Sequence, residues 1–313
     1  MHFDLKSHTI LRAVHGSFLY GTNIEGSDKD YKGVAVAPMN IYLGVTKFFE
    51  QSEKYENKGA DCDETIYDVR KYIKLASDNN PTVLEVLFVP DDCITDITEE
   101  GKYLMENASH FLSKKSYHTH SGFAFGQVKK MNTHRRWATH PINKKPERVD
   151  FNLGTQKIKN DDIGAIEWLE ATGQKISGPI IELVNKEKAY KRALDDYNNY
   201  QNWKENRNKE RFANEEKFGY DLKFAVHVIR LHMQCREILS KRTCTPRRPK
   251  EEREILMSIR KGGLSYEQFT EMSDNLSKEC ESLYSTSTLR HGVDQDKIDE
   301  ICMNIIERFH KKK

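Results

Sequence analysis

The residue types that could do chemistry are concentrated early in this 313-residue chain. Gly16 and Ser17 come first, and Asp28 and Asp30 follow after ten intervening residues. Glycine lets a backbone approach phosphate closely, and the amides of a following helical turn, together with the serine hydroxyl, bind phosphate oxygens. Carboxylates at positions i and i+2 of a strand share one face and suit hard divalent cations. The pattern predicts a site for a nucleoside triphosphate and its metal ions.

Asp68 is the predicted third carboxylate of this site. It lies late in a segment of alternating apolar residues, just before a predicted helix. In nucleotidyl transfer, two metal ions about 4 Å apart stabilise the attacking hydroxyl and the leaving pyrophosphate. Asp28 and Asp30 are predicted to bind two Mg²⁺ or Mn²⁺ ions, and Asp68 to bind the ion that activates the acceptor. The alternative interpretation is a plain surface turn, which Gly-Ser followed by Asp-Lys-Asp also suits.

Short strands are predicted to position these residues, over 8–15, 31–37 and 64–69. The first leads into the Gly-Ser turn, the second follows the paired aspartates, and the third carries Asp68. A polar stretch contains a predicted exposed turn at 57–59.

Beyond residue 97 the pattern is predominantly helical, with a strong helix over 217–241 and loops near 132–162 and 243–250. We therefore expect an α+β protein in two domains. A small mixed β-sheet flanked by helices is predicted for residues 1–110, and a mainly helical domain with a basic loop near 129–150 for residues 111–313.

Composition limits the kinds of partner. Hydrophobic residues make up 37% of the chain and charged residues 31%, with a net charge of +2. Any affinity for nucleic acid must therefore come from local basic patches. No apolar run approaches the roughly 20 residues of a membrane span, so no membrane partner is expected. The six cysteines are scattered without a Cys-x-x-Cys pair, which predicts reduced thiols and a cytoplasmic protein.

A second group of polar residues falls on one stripe of the predicted helix over 217–241. Tyr220, Lys223, His227 and Arg230 are spaced i, i+3, i+7 and i+10. One interpretation is that the stripe faces the cleft and binds phosphate. The other is a solvated helix face, with the apolar residues on the opposite side forming the core.

The segment 129–148 contains seven Lys or Arg residues and one Glu. Basic side chains next to an aromatic residue suit a flexible nucleic-acid strand. The predicted RNA contacts are Lys129, Lys130, Arg135, Arg136 and Trp137. The alternative is an ordinary solvated loop. A zinc site built from the nearby histidines is disfavoured, because their spacing lacks a tetrahedral pattern and no cysteine is close.

These residues carry a resemblance to a known family. Gly16-Ser17, Asp28-x-Asp30 and a later strand carboxylate resemble the DNA polymerase β-like nucleotidyltransferase superfamily. The fuller string Gly-Ser-x-x-Tyr-Gly-Thr-x-x-x-Gly-Ser-Asp-x-Asp-x-x-Gly is similar to its RNA repair pathway DNA polymerase β family, which is common in bacteria and large phages. Further similarity is found in residues 67–72, 80–85 and 219–231.

The resemblance implies metal-dependent transfer of a nucleoside monophosphate from an NTP, such as ATP, to a hydroxyl group, with release of pyrophosphate. An RNA end, tRNA-like or broken, is the preferred acceptor. A protein hydroxyl is the alternative, and a non-catalytic nucleotide- or RNA-binding module is the candidate from another class. The nucleotide-binding residues predicted from the pattern and the resemblance are Gly16, Ser17, Tyr20, Ser27, Arg70, Lys223, His227 and Arg230.

Overall fold

The computed structural model describes residues 3–54, 62–207 and 209–311, without the side chains of 209–211. The turn predicted at 57–59 lies outside the described residues.

Five strands form one mixed sheet with the order β3-β4-β2-β1-β5. The strands are β1 (Thr9–His15), β2 (Asp30–Ala35), β3 (Gln51–Lys54), β4 (Glu64–Asp68) and β5 (Ile94–Ile97). Strands β2 and β4 run parallel, whereas the other neighbouring pairs are antiparallel. The predicted α+β class, with a small mixed sheet and flanking helices, is confirmed.

Short helices surround the sheet, and long helices make up the later chain. The early helices are α1 (Leu5–His8), α2 (Gly16–Tyr20), α3 (Met39–Tyr42), α4 (Val69–Ser77), α5 (Pro81–Leu84) and α6 (Glu99–Glu106). The later helices are α7 (Lys115–Thr139), α8 (Asn160–Ala171), α9 (Gly178–Asn206), α10 (Lys209–Phe218), α11 (Leu222–Lys241), α12 (Lys250–Arg260), α13 (Tyr266–Thr286) and α14 (Gln295–Lys311). None of the described helices combines the length and apolarity that a membrane crossing needs.

The chain divides into two compact units, and their limits differ from the predicted boundary near residue 110. One unit comprises residues 1–131 and 221–313, and the other comprises residues 132–220. The physical reason lies in the core of the first unit. Apolar residues of β1 and β2 share one buried cluster with Ile238, Ile301 and Ile305 from the last third of the chain. The C-terminal helices are therefore part of the unit that contains the sheet.

Side chains alternate between the two faces of the sheet, and each face packs into a buried cluster. On one face, Leu11 and Val34 lie in the main core. On the other, Ala35 and Ile66 form a smaller cluster with Phe49. The two faces matter for the site, because a carboxylate on a strand reaches only one of them.

Candidate active site

The Gly-Ser turn and the aspartate strand meet at one end of the sheet. Strand β1 ends at His15, which pairs with Asp30, the first residue of β2. Gly16 begins α2 with a φ of +65°, a conformation that favours glycine. A methyl group at Gly16 would overlap Oδ2 of Asp30. The predicted adjacency of a small turn and a carboxylate is therefore present, with the carboxylate directly against the glycine.

An open cleft lies at this meeting point. Eleven residues line the cleft: Gly16, Ser17, Tyr20, Thr22, Ser27, Asp28, Asp30, Lys223, Val226, His227 and Arg260. Eight of the residues predicted from the sequence are thus brought together, all within the first unit. Of the predicted stripe, Tyr220 precedes α11, whereas Lys223 and His227 reach the cleft.

Carboxylates crowd around Asp30. Burial raises its pKa above the usual value, and the negative charges of Asp28 and Asp63 raise it further. Lys223 and Lys32 act in the opposite direction. Like charges held together in this way are relieved by a bound cation, and carboxylate oxygens are the ligands that Mg²⁺ and Mn²⁺ prefer. In residue type, these three carboxylates suit the metal ions that the sequence predicts.

Asp63 is a residue that the sequence interpretation missed. It immediately precedes β4, and its carbonyl accepts a hydrogen bond of 2.8 Å from the amide of Tyr31. The parallel register pairs Lys32 with Thr65, so residue 63 continues the alternation on the face that carries Asp30. A carboxylate at the start of the third strand was visible in the sequence, but only the strand pairing shows that it lies beside Asp30.

The prediction for Asp68 needs correction. Asp68 pairs with Ala35, five residues along β2 from Asp30. At about 3.3 Å per residue, this places the two aspartates roughly 17 Å apart along the sheet. The register also assigns Asp68 to the face opposite Asp30, because odd and even positions alternate. The structure therefore does not bring Asp68 to the paired aspartates.

Asp68 has a structural role instead. Its carboxylate caps α4 by accepting a hydrogen bond of 3.0 Å from the amide of Arg70, and it accepts a second one of 2.8 Å from the hydroxyl of Tyr42. Burial raises the pKa of Asp68, while these hydrogen bonds and the charge of Arg70 oppose that shift. Capping carboxylates are common at helix N-termini, which explains why an aspartate follows the strand here.

Arg70 accompanies Asp68 and is likewise absent from the cleft. Its Nε lies 3.2 Å from Asp68 Oδ1, and its guanidinium stacks 4.2 Å from the ring centroid of Tyr42. Arg70 is far from Asp28 and Asp30, because those aspartates lie at the other end of the sheet.

Arg230 does not face the cleft, although the predicted stripe included it. It is 1% exposed and forms a buried ion pair with Glu85, while its guanidinium stacks 3.8 Å from the ring centroid of Tyr20. Glu85 also accepts a hydrogen bond of 2.7 Å from the hydroxyl of Tyr20, and its Oε2 lies 3.1 Å from His15 Nε2. Glu85 is itself only 1% exposed.

This buried cluster stabilises the Gly-Ser turn. His15 precedes Gly16 and Tyr20 ends α2, so both flanks of the turn contact the same carboxylate. Burial alone would raise the pKa of Glu85, but the Arg230 charge and the hydrogen bonds hold it well below its usual value. Burial lowers the pKa of His15. The result is an ionised carboxylate that ties α11 to the turn.

The basic segment contains a buried aromatic residue rather than a stacking platform. Trp137 is 7% exposed and packs with His134, Tyr200 and Trp203 inside the second unit. Helix α7 extends to residue 139, so the predicted loop is helical over its first part. Trp137 is therefore placed to stabilise its own unit and is not available to stack on a base.

The predicted cations of this segment are exposed. Lys129, Lys130 and Arg135 lie at the surface. Arg136 is exposed too, but it donates hydrogen bonds of 2.7 and 2.8 Å to both carboxylate oxygens of Asp196. Its charge is balanced within its own unit.

The matches to known proteins cover the N-terminal part of the chain. Residues 3–145 match the model of the RNA repair pathway DNA polymerase beta family, which confirms the predicted resemblance for that region. An uncharacterized 38.9 kDa protein from the nrdC-mobD intergenic region of Enterobacteria phage T4 is 31% identical over 120 residues. This alignment covers 35% of this chain and 35% of the phage protein. No solved structure gives a significant match.

The family match includes Gly16, Ser17, Asp28, Asp30 and Asp63. It ends before α11 and α12, so the similarity proposed for residues 219–231 stays a prediction. The helices that supply the opposite wall of the cleft lie outside the matched region.

Proposed function

We propose that this protein is a polymerase β-like nucleotidyltransferase, which moves a nucleoside monophosphate from an NTP to a hydroxyl group on RNA and releases pyrophosphate. The observation that carries the proposal is the cleft in which Asp30 lies against Gly16 and near Asp28 and Asp63. The match to an RNA repair family over residues 3–145 supports the same class of reaction.

The residues at the cleft have different proposed roles. Asp28 and Asp30 would hold two Mg²⁺ or Mn²⁺ ions, and Asp63, which lies next to Asp30 just before the neighbouring strand, would supply the third carboxylate in place of Asp68. When bound, such ions neutralise phosphate charge and lower the pKa of a hydroxyl group. Ser17 and the backbone of the turn bind phosphate oxygens. Lys223 and His227, which line the cleft from α11, would contact the triphosphate.

RNA is the preferred acceptor, because the matched family functions in RNA repair and because Lys129, Lys130 and Arg135 are exposed. Phosphate contacts from such cations position a strand without reading its sequence. The competing acceptor is a protein hydroxyl, and the competing class is a module that binds RNA without catalysis. The buried aromatic residue in the basic segment removes one of the arguments that favoured RNA.

The first test compares two aspartates that the structure separates. Wild-type protein is incubated with each α-labelled NTP, Mg²⁺ or Mn²⁺, and RNA, DNA or a protein mixture. Asp63→Asn should reduce label transfer by about 100-fold or more, as expected for loss of a group that binds the reacting centre. Asp68→Asn should retain transfer within about threefold, because asparagine also caps helices well. EDTA should abolish transfer by the wild-type protein.

The outcome separates the candidates. If Asp68→Asn is inactive and Asp63→Asn is active while both remain folded, the carboxylate assignment is wrong. Label on protein rather than RNA would select the other acceptor. Absence of label under every condition, together with RNA binding that EDTA does not affect, would support a non-catalytic binding module instead of an enzyme.

A further inference from the structure

Helix α12 contributes an arginine that the sequence interpretation did not consider. Arg260 is the last residue of α12 and lines the cleft together with Ser17 and Lys223. It lies far outside the segment that matches the family. Arg260 lines the cleft, whereas Arg70 and Arg230, the two arginines predicted from the sequence, are not part of its lining.

The position of Arg260 follows from the packing of α12. Leu256 and Ile259 are fully buried, so one side of the helix is fixed in the core. Two turns before Arg260, the side chain of Arg253 reaches the turn after α2. Its Cδ would lie 3.0 Å from a methyl group at Gly21, where φ is +68°. Helix α12 thus lies against the turn that follows α2.

The chemistry of the cleft indicates what Arg260 binds. One side carries Asp28 and Asp30, and the wall from α11 and α12 carries Lys223 and Arg260. A ligand in this cleft that touches Ser17 is also close to Arg260, because both residues line the cleft. Guanidinium groups present a planar set of donors that matches phosphate oxygens in pairs. A triphosphate, bridged to the carboxylates by cations, complements both sides.

We propose that Arg260 binds the triphosphate of the donor nucleotide, the role that the sequence assigned to Arg70 and Arg230. This inference rests on the proposed function and deepens it, because it identifies a phosphate-binding residue beyond the matched region. It also makes α12 part of the donor site.

The test uses the full-length protein and three variants. Arg260→Ala should raise the KM for the NTP by about 10-fold or more, consistent with loss of a charged hydrogen bond. Arg260→Lys should recover part of this loss, because it keeps the charge but not the planar donors. Lys261→Ala is the matched control, since Lys261 is exposed, adjacent and outside the cleft. It should change the KM by less than twofold.

A second readout does not depend on turnover. Binding of inorganic tripolyphosphate with Mg²⁺, measured by calorimetry, should weaken about 10-fold in Arg260→Ala and stay unchanged in Lys261→Ala. Thermal melting curves of the variants show whether they remain folded. The inference is overturned if folded Arg260→Ala keeps the wild-type KM and tripolyphosphate affinity. It is also overturned if Arg260→Lys and Arg260→Ala show the same loss of affinity and both are destabilised, because the loss then follows from the fold.

The two proposals fail in different ways. If wild-type protein transfers label and Arg260→Ala leaves its KM unchanged, the role of Arg260 is wrong while the enzyme remains. If wild-type protein transfers no label from any NTP, the proposed function is wrong, whatever the behaviour of Arg260.

Discussion

At the scale of single residues, two independent constraints require a glycine at position 16. Its φ of +65° disfavours any side chain, and the space where a Cβ would stand is occupied by Asp30 Oδ2. The first requirement concerns conformation and is common to turn glycines. The second ties the turn to the carboxylate and therefore to the chemistry.

Gly26 provides a matched control for Gly16. It has a φ of +77°, but open space surrounds its missing side chain. Both Gly16→Ala and Gly26→Ala should lose about 1–2 kcal/mol of stability from backbone strain. Gly16→Ala should in addition displace Asp30 and reduce nucleotide transfer by about 100-fold or more, whereas Gly26→Ala should keep most activity. Equal activity of the two folded variants would show that the contact with Asp30 is unimportant.

At the scale of secondary-structure elements, α11 carries two functions on neighbouring sides. Lys223 and His227 line the cleft, and Arg230 turns inward to Glu85. Breaking a buried ion pair by removing one partner is costly, because the other charge stays buried. The pair therefore fixes the helix that forms one wall of the cleft.

Glu85→Gln should lower the free energy of unfolding by about 3–5 kcal/mol, because Arg230 loses its partner. Adding Arg230→Met should recover much of this loss, because it removes the buried charge that has lost its partner. Urea unfolding of the single and double variants measures both effects. A double variant no more stable than Glu85→Gln alone would contradict this explanation.

The same pair predicts a dependence of stability on acid. The pKa of Glu85 is below its usual value in the folded state, so the ionised group stabilises the fold above about pH 4.5. This contribution decreases as the pH falls below 4.5 towards the folded pKa. Over that range, the stability of Glu85→Gln should fall less steeply than that of the wild-type protein.

At the scale of the whole molecule, the unit containing the site is discontinuous in sequence. Residues 221–313 pack with residues 1–131, and Ile301 and Ile305 lie in the same core as the sheet residue Leu11. The segment 132–220 forms its own unit. The candidate site residues of the sheet thus depend on helices from the last third of the chain.

A fragment of residues 1–110 should therefore remain largely unfolded, because it lacks the apolar side chains that complete its core. Circular dichroism and urea titration of the fragment and of the full-length protein measure how much of each is folded. In the full-length protein, Ile301→Ala should cost about 2–5 kcal/mol, the usual range for a buried isoleucine. Cooperative unfolding of the isolated fragment would support the predicted domain boundary near residue 110.

The sequence by itself determined the short-range part of the site. Gly16, Ser17, Asp28 and Asp30 are close along the chain, and strand alternation with turn chemistry is enough to place them together. Their position at one end of a small mixed sheet could also be predicted, because the strands are short and bounded by polar segments.

Only the tertiary structure decided the long-range part. The choice between Asp63 and Asp68 depends on how β4 pairs with β2, and a shift along the strand changes both position and face. Whether Arg230 or Arg260 reaches the cleft depends on which sides of α11 and α12 meet the core. Such contacts join residues far apart in sequence, and local periodicity does not specify them. For this reason Asp63 and Arg260 emerged only from the folded chain.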